Sequence, residues 1–279
     1  MQTVLVTGGA GYVGSTLVGA LLEKGYQVIV ADKLSFGGES LLSYWHHPKF
    51  KIVQIDLTQP DAVRELFEDH DFEHVVHLAA IVGDPACSKQ PQLAHDVNWN
   101  ASCTLFDAAR KNGIKSFIFA STCSNYGKMS DPNGYVDENS TLSPVSLYAE
   151  LKVKFENYIM QSKNDANGSF SPTVLRFATV YGVSPRMRFD LTVNEFTKEL
   201  ALGRDLEIFG EQFWRPYCHV YDFARAIIMI LTCDPKKVAY NVFNVGDTAE
   251  NYQKQMIVDE IKKFIPNAQV RYEIGRAHV

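Results

Sequence analysis

Short apolar runs alternate with longer amphipathic segments along the first 180 residues of the chain. The apolar runs end at turn residues and have the length of buried strands, and the segments between them show helical spacing. We predict strands at Thr3–Thr7, Gln27–Ala31, Lys51–Ile55, His74–Leu78, Lys115–Ala120 and Pro172–Phe177. We predict helices at Gly11–Lys24, Asp61–Glu68, Gln92–Asn112 and Val145–Ser162. This alternation predicts βαβ units and an α/β fold with a doubly wound parallel sheet.

The alternation becomes looser after residue 180. Here we predict helices at Asp190–Leu202, Tyr221–Thr232 and Tyr252–Phe264, and strands at Leu206–Phe209 and Tyr240–Val245. We therefore expect a first domain at residues 1–180, to which residues 215–246 return. Residues 181–214 and 247–272 are expected to form a smaller C-terminal lobe. The last seven residues, 273–279, resemble a translated sequencing adapter, and we expect them to be a non-native tail.

Composition narrows the possible functions. Hydrophobic residues make up 46% of the chain and charged residues 21%, which is enough apolar material for a sizeable core. The net charge of −5 gives no sign of nucleic-acid binding. The five cysteines are odd in number and far apart, so we expect neither disulfides nor a metal site. We expect neither a signal peptide nor a membrane span, and therefore a cytoplasmic protein.

A glycine-rich loop follows the first predicted strand and opens the first helix. Gly8 permits a tight turn, Gly11 lets a ligand approach the backbone, and Gly14 lets the helix lie close to the sheet. The helix N-terminus then faces a pyrophosphate, with Tyr12 and Val13 beside it. Asp32 ends the second strand, where a carboxylate binds ribose hydroxyls and repels a 2′-phosphate. The pattern predicts that residues 1–180 bind NAD.

Three further residues near the adenosine end are candidate NAD contacts. Lys33 follows Asp32, and Asp56 and Leu57 follow the third predicted strand, where they could cover the adenine. Asp56 also fits a plain turn or helix cap, since aspartate is a favoured capping residue.

Tyr148 and Lys152 are four residues apart on a predicted helix and therefore share one face. Tyrosine has an ordinary pKa near 10, and a neighbouring ammonium favours the phenolate, so we expect Lys152 to lower the pKa of Tyr148. Taken alone, the spacing also fits an ordinary amphipathic helix. Thr122 lies at the carboxyl end of the fifth strand, where parallel sheets bind ligands. Its hydroxyl could relay a proton between a substrate and Tyr148.

Together these motifs resemble the extended short-chain dehydrogenase/reductases, in their nucleotide-sugar epimerase/dehydratase branch. The resemblance rests on the glycine loop, Asp32, the segment 77–80, Asn98, the segment 121–127 and the Tyr148–Lys152 pair, and it extends to about residue 265. It implies a Rossmann-type sheet with a smaller substrate-binding lobe. It also implies the catalytic triad Thr122, Tyr148 and Lys152. The cofactor cleft would be lined by Leu78, Ala79, Ala80, Asn98, Phe177, Thr179 and Val180.

The same resemblance implies a nucleotide-diphosphate sugar as substrate. Asn194 and Arg215 match family positions that bind the diphosphate, and Arg186 and Arg188 add positive charge. A guanidinium suits this role because it is planar and permanently charged. Val82 is a further candidate contact. We expect no membrane partner, and the family resemblance implies a homodimer formed by the helices Gln92–Asn112 and Val145–Ser162.

The reaction is narrowed by the residues after Thr122. Family dehydratases carry Asp-Glu there, whereas this chain has Cys123 and Ser124, which replace a carboxylate pair poorly. The sequence therefore favours an NAD-dependent epimerase that transiently oxidises a sugar carbon, C4 by resemblance, with Tyr148 as base. Residues 81–85 and 183–196 also resemble GDP-heptose C4-dehydrogenases, so a dehydrogenase or reductase stays open. A reductase of a non-sugar ketone and a non-catalytic NAD-binding protein are further alternatives.

Overall fold

The computed structural model describes residues 2–127, 134–165, 170–210 and 212–273. Seven strands form the main sheet: β1 (Thr3–Thr7), β2 (Gln27–Asp32), β3 (Phe50–Gln54), β4 (His74–His77), β5 (Ser116–Thr122), β6 (Ser171–Phe177) and β10 (Asn241–Val245). Their order is β10-β6-β5-β4-β1-β2-β3, and every neighbouring pair is parallel. The predicted doubly wound parallel sheet is confirmed.

Helices cover both faces of this sheet, as the alternating pattern predicts. The helices are α1 (Tyr12–Glu23), α2 (Pro60–Glu68), α3 (Asp84–Lys89), α4 (Pro91–His95), α5 (Ser102–Lys111), α6 (Leu147–Gln161), α7 (Thr192–Ala201), α8 (Val220–Thr232), α9 (Pro235–Val238) and α10 (Lys254–Lys262). Phe106 of α5 and Phe155 of α6 pack on Phe117 of one face. Leu17 of α1 and Phe223 of α8 belong to the core of the other face. Burying a side chain of this size contributes about 1.5–3 kcal/mol.

The strand order reverses between β1 and β4. The chain builds β2 and β3 on one side of β1, and then crosses over to place β4, β5 and β6 on the other side. In a doubly wound sheet, ligands bind at the carboxyl ends of the strands beside such a switch point. The fold therefore brings together residues 7–8, 32, 77–80, 122 and 177, which all follow or end these strands.

The predicted helix Gln92–Asn112 differs from the structure in its interior. Helix α4 passes into a π-helical turn at Asp96–Ala101 before α5 begins at Ser102. Single π-turns inside α-helices are frequent at functional sites. The predicted last helix also begins differently, because residues 251–253 form a strand and α10 starts at Lys254.

The C-terminal part contains two small sheets that hydrophobic periodicity does not reveal in full. One joins β11 (Asn251–Gln253), β9 (Trp214–His219) and β7 (Thr179–Tyr181), and the other pairs β12 (Val270–Glu273) with β8 (Leu206–Phe209). Helices α7 and α10 close a local core over them, which includes Phe196, Ile208, Tyr217 and Val258. Thus β9 lies in a small sheet, and α8 and β10 make the return to the main one.

Two further sequence-based expectations concern the C-terminal tail and membrane-spanning helices. Glu273 is the last residue of β12, and the rest of the expected non-native tail, 274–279, lies outside the described residues. No helix within the described ranges combines the length and apolar character needed to cross a bilayer.

Candidate active site

The glycine loop has the geometry that its sequence predicts. Gly8 adopts a positive φ of 72°, a conformation that costs glycine little, and its N–H donates to the Ala31 carbonyl at 3.0 Å. A Cβ on Gly14 would lie 2.3 Å from the Gly8 oxygen and 2.6 Å from the Gly9 Cα. Backbone atoms cannot yield to such contacts, so only glycine lets α1 begin this close to β1. A pyrophosphate fits the exposed N–H groups that this approach leaves at the helix start.

Asp32 lies beside the loop at the end of β2. Its Oδ2 accepts a hydrogen bond from Ala10 N at 3.0 Å, and its Oδ1 accepts one from Leu34 N at 2.8 Å. Both bonds fix the carboxylate next to the glycine loop. Each oxygen keeps acceptor capacity for a hydroxyl donor.

Lys33 and Asp56 form a pair with each other. The Lys33 Nζ lies 2.7 Å from the Asp56 Oδ2, and the Asp56 Oδ1 accepts hydrogen bonds from the backbone N–H and the hydroxyl of Thr58. Burial raises the pKa of Asp56, but these hydrogen bonds outweigh it and hold the pKa below its ordinary value. Asp56 thus has the turn role that the sequence left open, while the buried Leu57 belongs to the core on one face of the sheet.

The loop after β4 is fixed by the π-turn. Asn98 in that turn is buried; its Oδ1 accepts from Ile81 N at 2.8 Å, and its Nδ2 donates to the Ile81 carbonyl at 2.9 Å. These bonds hold the segment 78–81, with Leu78, Ala79 and Ala80, against the switch point. Asn98 therefore acts on the cleft wall through the backbone of Ile81.

His77 stands under the same loop. It is fully buried between the Thr7 hydroxyl, 2.7 Å from Nδ1, and the Ser102 hydroxyl, 2.9 Å from Nε2. Burial, together with the charge of Lys152, lowers the pKa of His77 to about 3, so the ring is neutral at physiological pH. It links β1, β4 and α5 as a hydrogen-bonding core residue.

The three residues of the expected triad converge on the end of β5. The Thr122 Oγ1 accepts a hydrogen bond from Ser124 N at 3.1 Å, and its hydroxyl proton has no acceptor within the described residues. Helix α6 begins after Ser146, whose hydroxyl accepts from Ala149 N, and carries Tyr148 and Lys152 on one face. The Lys152 Nζ lies 5.8 Å from the Tyr148 ring centroid and donates to the Ala120 carbonyl at 2.7 Å.

The electrostatics of the pair differ from the sequence-based expectation. Burial raises the pKa of Tyr148, and the charge of Arg188 opposes this rise only in part. Burial also lowers the pKa of Lys152 to about 8. The expected lowering of the Tyr148 pKa is thus not seen, because burial outweighs the neighbouring charges in this structure. The ammonium is aimed at a backbone carbonyl, and removal of the phenol from water dominates.

Tyr12 and Asn194 meet in a buried junction between the start of α1 and the part of the chain that carries α7. The Tyr12 hydroxyl donates to the Gly182 carbonyl at 2.6 Å and accepts from the Asn194 Nδ2 at 3.1 Å. The second Asn194 N–H donates to the Arg188 carbonyl, and its Oδ1 accepts from Gly182 N. Both N–H groups of Asn194 are thus engaged within this structure, and its expected contact with a diphosphate stays a prediction. The Tyr12 side chain likewise faces this junction, and only its backbone lies at the glycine loop.

The three candidate arginines occupy different places. Arg188 forms an ion pair with Asp190, and its charge reaches Tyr148. Arg215 is exposed on β9, and its charge partly offsets the burial that raises the pKa of Cys123, beside Thr122. Arg188 and Arg215 thus each exert their positive charge on a residue at the triad.

Arg186 points elsewhere, since its guanidinium lies 4.4 Å from the ring centroid of Phe36, in the loop after β2. The remaining expected contacts flank the cleft: Val82 is 41% exposed after β4, and Thr179 and Val180 lie partly buried in β7. Phe177 is buried at the end of β6, where it stacks on Phe223 with ring centroids 4.0 Å apart. Its side chain therefore serves the core beneath the cleft.

Two residues near the site were given no role by the sequence motifs. A Cβ on Gly9 would lie 2.6 Å from the Val30 Cγ2, so Gly9 is also needed for the close packing of the loop. Glu156 is buried beneath the triad, where it pairs with Arg176 and accepts from Asn125. Its position four residues after Lys152 is a signal that helical spacing could have supplied.

Comparison with known proteins places this geometry among related enzymes. The sequence model of the NAD dependent epimerase/dehydratase family matches residues 4–246. The UDP-glucuronate 4-epimerase of Thermodesulfobacterium geofontis is 29% identical over 95% of this chain and 81% of its own length. A UDP-glucose 4-epimerase structure with UDP-glucose, from Thermotoga maritima, superposes with a TM-score of 0.86 at 29% identity, covering 99% of this chain and 87% of its own. The NAD complex of the Thermus thermophilus UDP-glucose 4-epimerase gives 0.84 at 26% identity, covering 97% and 86%.

Proposed function

Because the chain belongs to the NAD-dependent epimerase/dehydratase family, and is thus an NAD-dependent enzyme of the short-chain dehydrogenase/reductase type, we propose that it epimerises a nucleotide-diphosphate sugar at C4. The observation that carries the proposal is the convergence of Thr122, Tyr148 and Lys152 at the carboxyl end of β5. The similar proteins named as 4-epimerases of UDP-sugars support both the substrate class and the carbon.

The residues of the first domain fit NAD. The glycine loop would hold the pyrophosphate, Asp32 the adenosine ribose, and the segment 78–80 with Thr179 and Val180 the nicotinamide end. Bound NAD supplies a hydride acceptor that can return the hydride to the same carbon. Lys33 and Asp56 form a pair beside Asp32 that would border the adenosine end.

Tyr148 is the proposed base that takes the proton of the C4 hydroxyl. The burial that raises the pKa of Tyr148 also excludes water, which strengthens the charges that stabilise a phenolate in the reacting complex. Arg188 is one such charge, and the Lys152 ammonium, held by Ala120, is the second. Thr122 donates its free hydroxyl proton to the same sugar oxygen and so orients it. With Cys123 and Ser124 beside it, the site lacks the carboxylate pair for dehydration.

Arg188 and Arg215 are the proposed contacts of the diphosphate. Both lie within electrostatic reach of residues at the triad, and a guanidinium can bind two phosphate oxygens at once. Asn194 supports this site indirectly, because its amide holds the Arg188 carbonyl and Gly182.

The proposal is tested by incubating the NAD-bound enzyme with UDP-galactose, UDP-glucuronate and GDP-mannose, and following the sugar protons by NMR. We expect the C4 epimer of at least one UDP-sugar to accumulate to equilibrium without net formation of NADH. Stoichiometric NADH with a 4-keto sugar would show a dehydrogenase instead. If UDP and GDP do not bind and no sugar turns over, the nucleotide-sugar assignment is wrong.

A further inference from the structure

A buried acidic residue lies directly under the proposed catalytic residues. Tyr148, Lys152 and Glu156 follow one another at intervals of four along α6, so they share the helix face that packs on β5. Glu156 is 2% exposed, and its Oε2 lies 2.7 Å from the Nη2 of the equally buried Arg176 on β6. An ion pair removed from water in this way needs further hydrogen bonds in order to be tolerated.

Those hydrogen bonds come from both sides of Thr122. The Glu156 Oε1 accepts from the hydroxyl of Ser121, the residue before Thr122, and from the Asn125 Nδ2 at 2.7 Å, three residues after it. Asn125 is held in this orientation although its Oδ1 finds no donor within the described residues. These bonds to Glu156, together with the bond from Lys152 to the Ala120 carbonyl, hold α6 against the end of β5 on either side of the Thr122 hydroxyl.

The network continues away from the site through Arg176. Its Nη1 donates to the Tyr126 hydroxyl at 3.0 Å and to the Glu138 carbonyl at 3.2 Å. Tyr126 in turn donates to Asn244 of β10. The residues after Thr122 are therefore anchored to two strands, and a change at Glu156 would be felt at the turn that carries Thr122.

Glu156 also supplies charge. The titratable side chains that face Lys152 are Tyr148 and Glu156 on its own helix, Cys87 of α3 and His77 of β4. The Phe119 ring, whose centroid lies 4.6 Å from the Lys152 Nζ, is uncharged. Burial keeps His77 neutral, and it raises the pKa values of Tyr148 and Cys87, so that these two are neutral as well. Of this set, Glu156 alone supplies a negative charge, as its ion pair with Arg176 shows.

We propose that Glu156 is a positioning residue of the active site, which fixes Thr122 relative to the catalytic helix and supplies the negative charge opposite the Lys152 ammonium. The inference rests on the proposed function, because Thr122 and Lys152 are catalytic only if that function holds. Two variants separate the two roles. Glu156→Asp keeps the charge but shortens the side chain, whereas Glu156→Gln keeps the length and removes the charge.

The charge role is tested by ¹⁵N NMR of the lysine side chains in the NAD-bound protein, with the Lys152 signal assigned through Lys152→Arg. We expect the titration midpoint of Lys152 to fall in Glu156→Gln and to stay near that of the wild type in Glu156→Asp. Leu66→Ala, a buried change in α2 remote from the site, is the matched control for lost stability and should leave the midpoint unchanged. If Glu156→Gln does not fold because Arg176 is left unpaired, the double variant with Arg176→Met replaces it.

The positioning role is tested by kinetics of the same variants on the turned-over sugar. Glu156→Asp should lower kcat about tenfold or more with its pH profile unchanged, since displacement by about 1 Å is costly at a reacting centre. In Glu156→Gln the loss of activity at alkaline pH should begin at lower pH. An unaltered Lys152 titration and wild-type kcat in folded Glu156→Gln would overturn the inference. The NMR titration needs no turnover, so an inactive wild type would refute the proposed function separately.

Discussion

At the residue scale, burial governs the chemistry of the proposed triad. Lys152 is 3% exposed, and burial lowers its pKa to about 8. The ammonium is therefore present below this pH and is lost as the pH rises through it. Tyr148 is partly buried, and the loss of water around its hydroxyl disfavours the phenolate. The two residues thus depend on fixed neighbouring charges, Arg188 for Tyr148 and Glu156 for Lys152.

Tyr148→Phe should lower kcat by about 10²–10⁴-fold, the usual contribution of a positioned general base. Bound NAD should be retained, as measured from its absorbance after denaturation. Tyr158→Phe is the matched control, because Tyr158 is on the same helix but its hydroxyl binds Asp107 of α5. Turnover of Tyr148→Phe at the rate of the control would remove Tyr148 from the mechanism.

Residue identities at this site could be predicted from the sequence, but their contacts could not. The motifs pointed to Thr122, Tyr148 and Lys152 because each sits at a fixed place relative to a strand or helix. Whether the Lys152 ammonium faces the phenol or the Ala120 carbonyl depends on the backbone of another element. The same limit applies to Asn194, whose amide binds the hydroxyl of Tyr12, a residue distant in the chain.

At the element scale, the glycine loop has the least freedom to vary. Gly14→Ala would place a Cβ 2.3 Å from the Gly8 oxygen, so α1 must shift away from β1. We expect the free energy of unfolding to fall by about 1–3 kcal/mol, as at other overpacked sites. NAD should bind at least about tenfold more weakly than to the wild type, as measured by calorimetry. Gly38→Ala is the control, because its new Cβ would lie 3.6 Å from the nearest atom, Leu34 Cδ2, which is an ordinary contact distance. Equal NAD affinity of the two variants would contradict the role given to the loop.

The strands of the main sheet and the helices that cover it could be predicted, because burial gives their hydrophobic residues a clear period. The strands β7 and β11 have three residues each, too few for a pattern to emerge, and β9 carries Arg215 and Pro216. The π-turn at 96–101 also leaves the helical spacing almost unchanged. What reveals it is the buried bond pair from Asn98 to Ile81, which is a tertiary contact.

At the scale of the whole molecule, helix α1 meets the C-terminal part of the chain in the junction of Tyr12, Gly182 and Asn194. The Ser184 hydroxyl adds a bond to the Tyr12 carbonyl at 2.6 Å. A sugar nucleotide held by Arg188 would therefore sit on a segment fastened to the start of α1. The division of the chain into two domains and the expected homodimer stay predictions, and a mass by light scattering tests the second.

An epimerase of the proposed kind removes a hydride from C4 and returns the same hydride to that carbon. The most direct measurement is the conversion of UDP-[4-²H]galactose by the NAD-bound enzyme, with product analysed by NMR and absorbance followed for NADH. We predict UDP-glucose that keeps deuterium at C4, with no net NADH and no hydrogen gained from solvent. Accumulation of a 4-keto sugar with deuterated NADH, or replacement of the C4 deuterium by solvent hydrogen in the product, would contradict the account.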